Sequence, residues 1–178
     1  LPEKARAWIT RALVTGRVTS GTALVRGRLS DFPFDASNGL FEGRLNVSDT
    51  VLDYEAGWPW VGEIEGEVVF RGRGLEINAV AGKIFDSSVQ KINAAIPDLF
   101  LHEPQLTIRG EVRGATTDVL RLLRESPLKD KLANFVAGLS ASGQVTLNLD
   151  LLIPLSVQPN QIKGTLQFRD SALHYVDK

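Results

Sequence analysis

The sequence contains no cysteine, no methionine and only two histidines among its 178 residues. Without cysteine there can be no disulfide, no thiol nucleophile and no cysteine-ligated zinc, iron–sulfur cluster or c-type haem. Without Met at position 1, a processed chain or an excised fragment is expected. No apolar run approaches the ~18 residues that cross a bilayer, and no signal peptide is present. An excess of charge is missing too: 20 Lys+Arg stand against 21 Asp+Glu, a formal net charge of −1. Nucleic-acid binders carry a basic excess, so nucleic acid is not expected as a partner. With 43% hydrophobic and 23% charged residues, the chain has the composition of a folded protein, and its length sets a prior of one domain.

Catalytic signatures are equally scarce. His102 and His174 stand far apart, and neither has a companion at metal-ligand spacing. Glu63, Glu65 and Glu67 alternate with Ile64, Gly66 and Val68, which makes them the solvated face of a strand rather than a carboxylate site. Ala81-Gly82-Lys83-Ile84 lacks the first Gly and the Ser/Thr of a phosphate loop. Gly138-Leu139-Ser140-Ala141-Ser142 lacks the second Gly of a nucleophile elbow. No enzymatic activity, metal or cofactor is expected.

What the sequence has in abundance is period two, the mark of strands with one buried face. Val145, Leu147, Leu149, Leu151, Ile153, Leu155 and Val157 occupy seven successive odd positions, with Thr146, Asn148 and Asp150 between the first of them. The same alternation runs through Ile64–Phe70, Leu106–Val112 and Ile162–Phe168. Shorter strands are predicted near 15–29, 39–47, 50–55, 74–84, 87–95 and 171–176, about ten in all, in an antiparallel sheet wet on one side. Helices are predicted at 3–13, with Pro2 in its first turn, at 116–126, with Thr116, Thr117 and Asp118 as caps, and at 128–138, burying Leu128, Leu132, Phe135 and Val136.

An internal repeat stands out. Glu42–Tyr54 aligns without gaps to Lys163–Tyr175, 121 positions on, with Gly43/Gly164, Leu45/Leu166, Asp49/Asp170, Leu52/Leu173 and Tyr54/Tyr175 identical. Pro33 falls opposite Pro154 in the same alignment, and an amphipathic helix precedes both copies. A first unit over 1–126 and a second, truncated one over 127–178 are expected, sharing one continuous sheet in a longer stacked parent. Directly after the first matched stretch, and sharing its Tyr54, comes Tyr54-Glu55-Ala56-Gly57-Trp58-Pro59-Trp60. Its Pro must leave the ladder, and its indoles suit either the end of an apolar core or the rim of a groove.

Trp8 in the opening helix, Gly16-Arg17-Val18, Gly27-Arg28-Leu29, Asp31-Phe32-Pro33-Phe34, Gly39-Leu40-Phe41, Leu52-Asp53-Tyr54 and Trp58-Pro59 together resemble the YhdP branch of the bacterial AsmA-like group, which also includes TamB. The resemblance covers essentially the whole chain and is densest over residues 1–100. It implies a large periplasmic protein of Gram-negative bacteria, anchored in the inner membrane, whose elongated β-groove carries phospholipid toward the outer membrane. It brings no catalytic residues.

The alternation accommodates that implication. Three short helices cannot cover the apolar face of about ten strands. A curved antiparallel sheet would leave an elongated hydrophobic groove for acyl chains, driven in by roughly 25 cal/mol per Å². The lining candidates are Ile64, Val68, Phe70, Leu106, Ile108, Val112, Val145, Leu147, Leu149, Leu151, Ile153, Leu155, Ile162, Leu166 and Phe168, with Tyr54, Trp58 and Trp60 at the rim. The expected partners are phospholipid acyl chains, adjacent repeats of the parent chain and, through other parts of it, both membranes. The alternative is an envelope scaffold or protein-interaction module in which the same residues pack a closed β core.

Overall fold

The computed structural model describes residues 3–36, 38–155 and 161–175. Among them the elements run α1 (Glu3–Ala12), β1 (Leu13–Arg26), a 3-10 turn (Leu29–Asp31), β2 (Leu40–Leu52), β3 (Val61–Arg71), β4 (Gly74–Ile84), β5 (Ser87–Ile96), β6 (Gln105–Ala115), α2 (Thr116–Glu125), α3 (Lys129–Val136), β7 (Leu139–Pro154) and β8 (Gln161–Tyr175). The eight strands form one sheet in chain order, each antiparallel to the next. β1 and β8 are the two edges and do not meet, so the curved sheet stays open. The expected class, mainly β with a few helices on an antiparallel sheet, is the one observed.

Eight strands stand where about ten were predicted. The predicted segments 39–47 and 50–55 merge into the single strand β2, which ends at Leu52, and 162–168 merges with 171–176 into β8, described to Tyr175. The polar interruptions Ser48-Asp49 and Arg169-Asp170 are not turns but bulges. At both sites the ladder shifts by a residue and the Asp takes a left-handed backbone, φ 51° at Asp49 and 46° at Asp170. Asp tolerates that region better than most residues. Two further bulges sit at Glu63 in β3 and Lys91 in β5, with φ 50° and 49°. Opposite each bulge the neighbouring strand carries one glycine: Gly16, Gly82, Gly110 and Gly143. A bulge bends its strand and adds right-handed twist. These four, with further register shifts between Val18 and Ser20 and between Glu65 and Gly66, curl the sheet.

Helix ends also differ from expectation. α2 begins after Ala115 with no side-chain cap. Asp118 instead accepts the Ser87 hydroxyl at 2.6 Å, and the Thr116 and Ser171 hydroxyls lie 3.1 Å apart. These contacts fasten α2 to the sheet rather than close its own first turn. β7 starts six residues before Val145 and ends at Pro154, whereas Pro33 sits in the β1–β2 connection behind a cis Phe32–Pro33 bond. The two prolines are therefore not structural equivalents. Pro2, Val157 and the Phe135 side chain lie outside the described residues.

The densest core lies where β4, β5, β6 and β7 meet the 97–104 connection. Leu75, Ile96, Leu99, Leu106 and Ile153 are buried there, with Trp8, Ile9, Val68, Phe70 and Phe100 packed against them. Phe32, Phe34, Phe41 and Phe100 stack edge-on beside it. Arg73 fastens this end by bonding Asp98 at 2.9 Å and Asp35 at 2.8 Å, its guanidinium 4.9 Å from the Phe100 ring centre.

Candidate functional site

Register turns the period-two sequence into transverse rows. Gly21, Leu45, Val68, Ile77, Ala94, Ile108, Leu151 and Ile162 pair in succession across all eight strands. The adjacent row reads Ser20, Asn46, Glu67, Asn78, Asn93, Arg109, Asp150 and Lys163. Because neighbouring residues of a strand point to opposite faces, the row from Leu45 on β2 to Leu151 on β7 is apolar and its neighbour polar. At ~4.8 Å between strands that apolar row extends for roughly 24 Å. The polar face is stitched by ion pairs, among them Arg44 with Glu42 and Glu67, Arg71 with Glu42 and Lys83 with Glu63. The two guanidinium groups hold Glu42 below its ordinary carboxylate range. Glu63 and Glu65 are exposed on this face, as their alternation predicts.

Helices cover the apolar face only in part, and two cavities remain beneath them. One, of about 240 Å³, lies among α1 (Trp8, Ile9, Ala12) and residues of β1–β4 that include Leu45, Ile64, Val68 and Phe70. The other, of about 160 Å³, lies among α2 (Val119, Leu122, Leu123), Leu128, Val112 and the row Val145, Leu147, Leu149, Leu151 of β7. Tyr54 and Trp58 complete its wall, their ring centres 6.5 Å apart. The Trp8 indole N–H donates to the Tyr54 carbonyl at 3.2 Å, joining the wall of one cavity to the wall of the other. Burial, with the negative charges of Glu55 and Asp53 adding to it, pushes the Tyr54 phenol well above its ordinary value, so the ring stays neutral and apolar in character.

The sequence candidates divide by environment. Ile64, Leu106, Val112, Val145 and Ile153 are buried, while Val68, Phe70, Ile108, Leu147, Leu149, Leu151 and Leu155 are half-buried. Leu106 and Ile153 belong to the dense core; Val112 and Val145 touch the second cavity. Phe168, on edge strand β8, is 48% exposed. Ile162 and Leu166 have a defined register on β7, but their side chains lie outside the described residues. At the rim, Tyr54 and Trp58 face the second cavity, whereas Trp60 is 56% exposed and touches neither. Sequence reading missed Leu45 and Ile77, which the apolar rows contain, and the helical residues Val119, Leu122 and Leu123 as lining; the period-two run from Leu45 to Val47 and the apolar stripe of α2 carried the signal.

No helix among the described residues is long and apolar enough to cross a membrane, and no group of acidic or histidine side chains among them has metal-site geometry. His102 and His174 are both exposed.

Comparison with known proteins bears on this face. A family model described as YhdP protein matches residues 1–177. A curated relative, the intermembrane phospholipid transporter YhdP of Escherichia coli (strain K12), is 25% identical over 166 residues, 93% of this chain and 13% of that protein. The chain thus spans about an eighth of the relative's length. No solved structure gives a significant match.

Proposed function

Because the chain belongs to the YhdP family, we propose that it forms one segment of a periplasmic conduit that passes phospholipids between inner and outer membranes. Acyl chains lie on the apolar face, and headgroups remain in solvent at its open side. The observation that carries this reading is the apolar row running from Leu45 on β2 to Leu151 on β7 over cavities that the helices do not fill. Hydrocarbon contact there is non-directional and contributes about 0.8 kcal/mol per buried CH₂, so a tail can slide from strand to strand without losing a fixed partner. Neither the residues nor the family gives the chain a catalytic part in this. The adjoining parts of a longer parent supply the connection to each membrane.

Size sets a condition. A cavity of about 150 Å³ accommodates a benzene-sized molecule, and each space here is of that order. A whole acyl tail, spanning about half of a ~30 Å hydrocarbon core, needs the two spaces joined. The joint is the Trp8–Tyr54 hydrogen bond, so conduction requires α1 or the 53–60 segment to move aside.

A second reading rests on the dense core that adjoins the first cavity, where Ile96 and Leu99 are 1% and 2% exposed. That dry packing is what an envelope scaffold with a closed β core would have. Photo-crosslinking residues at Leu147 and Leu151 separate the two readings. Labelling of phospholipid, together with lipid recovered from the purified chain by mass spectrometry, supports the conduit. Crosslinks to protein alone with no lipid recovered support the scaffold.

A further inference from the structure

Asp118 is out of keeping with the wall of the cavity beneath α2. Among the described residues that border that space it alone is charged, set among Val119, Leu122, Leu147 and Leu149. Its Oδ2 accepts the hydroxyl of the buried Ser87 at 2.6 Å. Among the described residues no other donor meets the carboxylate, and no cation pairs with it. A carboxylate offers about four acceptor sites, so one hydroxyl leaves most of them to whatever enters the mouth of the cavity.

Three residues further along α2 stands Arg121, a spacing that makes the two side chains neighbours on the helix surface, about 5–6 Å apart at Cβ. Its guanidinium lies 4.0 Å from the centre of the Phe85 ring, and Phe85 borders the same cavity. Phe85 sits in the β4–β5 turn with φ 55°, a backbone region that bulky residues rarely occupy and that clusters at ligand clamps. The Arg121 Nε donates to Glu125 at 2.9 Å, and its side chain is 51% exposed. The terminal N–H groups of the guanidinium fork are left for an anion.

We infer that this mouth is a headgroup site for a phospholipid that carries a primary amine. Arg121 takes the phosphate, Asp118 takes the ammonium, and the start of a tail enters the cavity between α2 and β7. The tail's place rests on the conduit reading; the headgroup's place rests on the two charges. A phosphodiester without a cation would gain Arg121 but face the carboxylates of Asp118 and Glu125. A zwitterion matches both signs, and the spacing along α2 suits the short span from phosphate to amine in a phosphoethanolamine. Charge-assisted hydrogen bonds of this kind are roughly twice as strong as neutral ones.

The test titrates the chain, by calorimetry, with two short-tailed lipids kept below their micelle concentration. Dihexanoylphosphatidylethanolamine and dihexanoylphosphatidylethanol are alike except for the amine. The amine-bearing lipid should bind about tenfold more tightly. Asp118→Asn should abolish that preference by weakening the amine-bearing lipid alone, and Arg121→Gln should weaken both in parallel, with circular dichroism confirming the fold of each. The comparison of the two lipids needs no variant, so it stands even where a variant does not fold. Equal affinity for the two lipids overturns the headgroup site and leaves the conduit reading intact, because the tails still bind. Preference retained in folded Asp118→Asn overturns it as well. Phosphoethanolamine alone binding as tightly as the lipid also overturns it, since the charges then serve a soluble ligand. Binding of neither lipid removes the conduit reading and this inference together.

Discussion

The indole N–H of Trp8 and the carbonyl of Tyr54 meet at 3.2 Å although 46 residues separate them in sequence. The bond links a helix that covers one cavity to a loop that walls the other, and a second link, from the Asp53 amide to the Ala12 carbonyl at 2.8 Å, lies beside it. Trp8→Phe keeps an aromatic ring under α1 and removes the donor. It should cost about 1 kcal/mol, measured by chemical denaturation, and raise hydrogen exchange over 3–12 and 53–60. In the conduit reading it should also speed uptake of a fluorescent phospholipid, because the barrier between the cavities is lowered. Slower uptake would place Trp8 among the tail contacts instead of at a gate.

Leu149 and Gln167 test the two faces of the sheet with the same charge. Leu149 is half-buried and borders the second cavity, and Gln167 is exposed on the polar face near Arg113 and Arg169. Leu149→Asp puts a carboxylate where desolvation is costly and should lower recovered phospholipid about tenfold, the equivalent of losing roughly two buried methylenes. Gln167→Asp should leave recovery unchanged. Circular dichroism of both variants distinguishes a lost ligand from a lost fold, and similar losses at the two positions would remove the case for a sided conduit.

Gly143 and Gly62 make a matched pair for the bulge. Gly143 has φ 94° and faces the Asp170 backbone, while a Cβ on Gly62 meets nothing within 4 Å. Gly143→Ala should destabilise by about 1–3 kcal/mol, read from the denaturant midpoint at constant slope. Gly62→Ala should be neutral or stabilise by up to ~1 kcal/mol, because it narrows the unfolded ensemble.

Asp98 gives the sealed end of the sheet a pH dependence. Burial raises its carboxyl, but hydrogen bonds from the Phe100 amide at 2.7 Å and from Arg73, with the charge of Arg73, outweigh that and hold it below the ordinary value. A carboxyl depressed in the folded state contributes stability that is complete above its unfolded pKa, ~3.9, and is lost as pH falls through the lower folded value. Stability measured from pH 6 to pH 2 should therefore fall more steeply in the parent than in Asp98→Asn below about pH 4. Parallel curves would show that the Arg73 contacts do not persist in solution.

Strand identity was largely legible because alternation is local: Ile64–Phe70, Leu106–Val112 and the Val145–Ile153 run fall inside β3, β6 and β7 as read. Asp49 and Asp170 were legible as interruptions but not as bulges, since the difference between a turn and a bulge lies in whether the ladder resumes beyond it, which the partner strand decides. The glycines opposite them, Gly16 and Gly143, carry no pattern of their own in sequence. Among the site residues, Trp58 and Trp60 looked alike, one residue apart from the same Pro. Only Trp58 lines the cavity beneath α2 and β7; the chain reaches it through Gly57, whose φ of 80° is a left-handed turn that alternation does not reveal.

The order of residues by itself determined that this chain makes strands with one oily and one wet side, since side-chain direction alternates with every residue whatever the surroundings. Tertiary structure alone decided which apolar residues became sealed core and which came to border open space. Ile153 and Leu149 are the same kind of residue on the same face of one strand, yet the first lies under the 97–104 connection and the second beside a gap left by α2. Coverage depends on where distant segments return, and no local pattern encodes that.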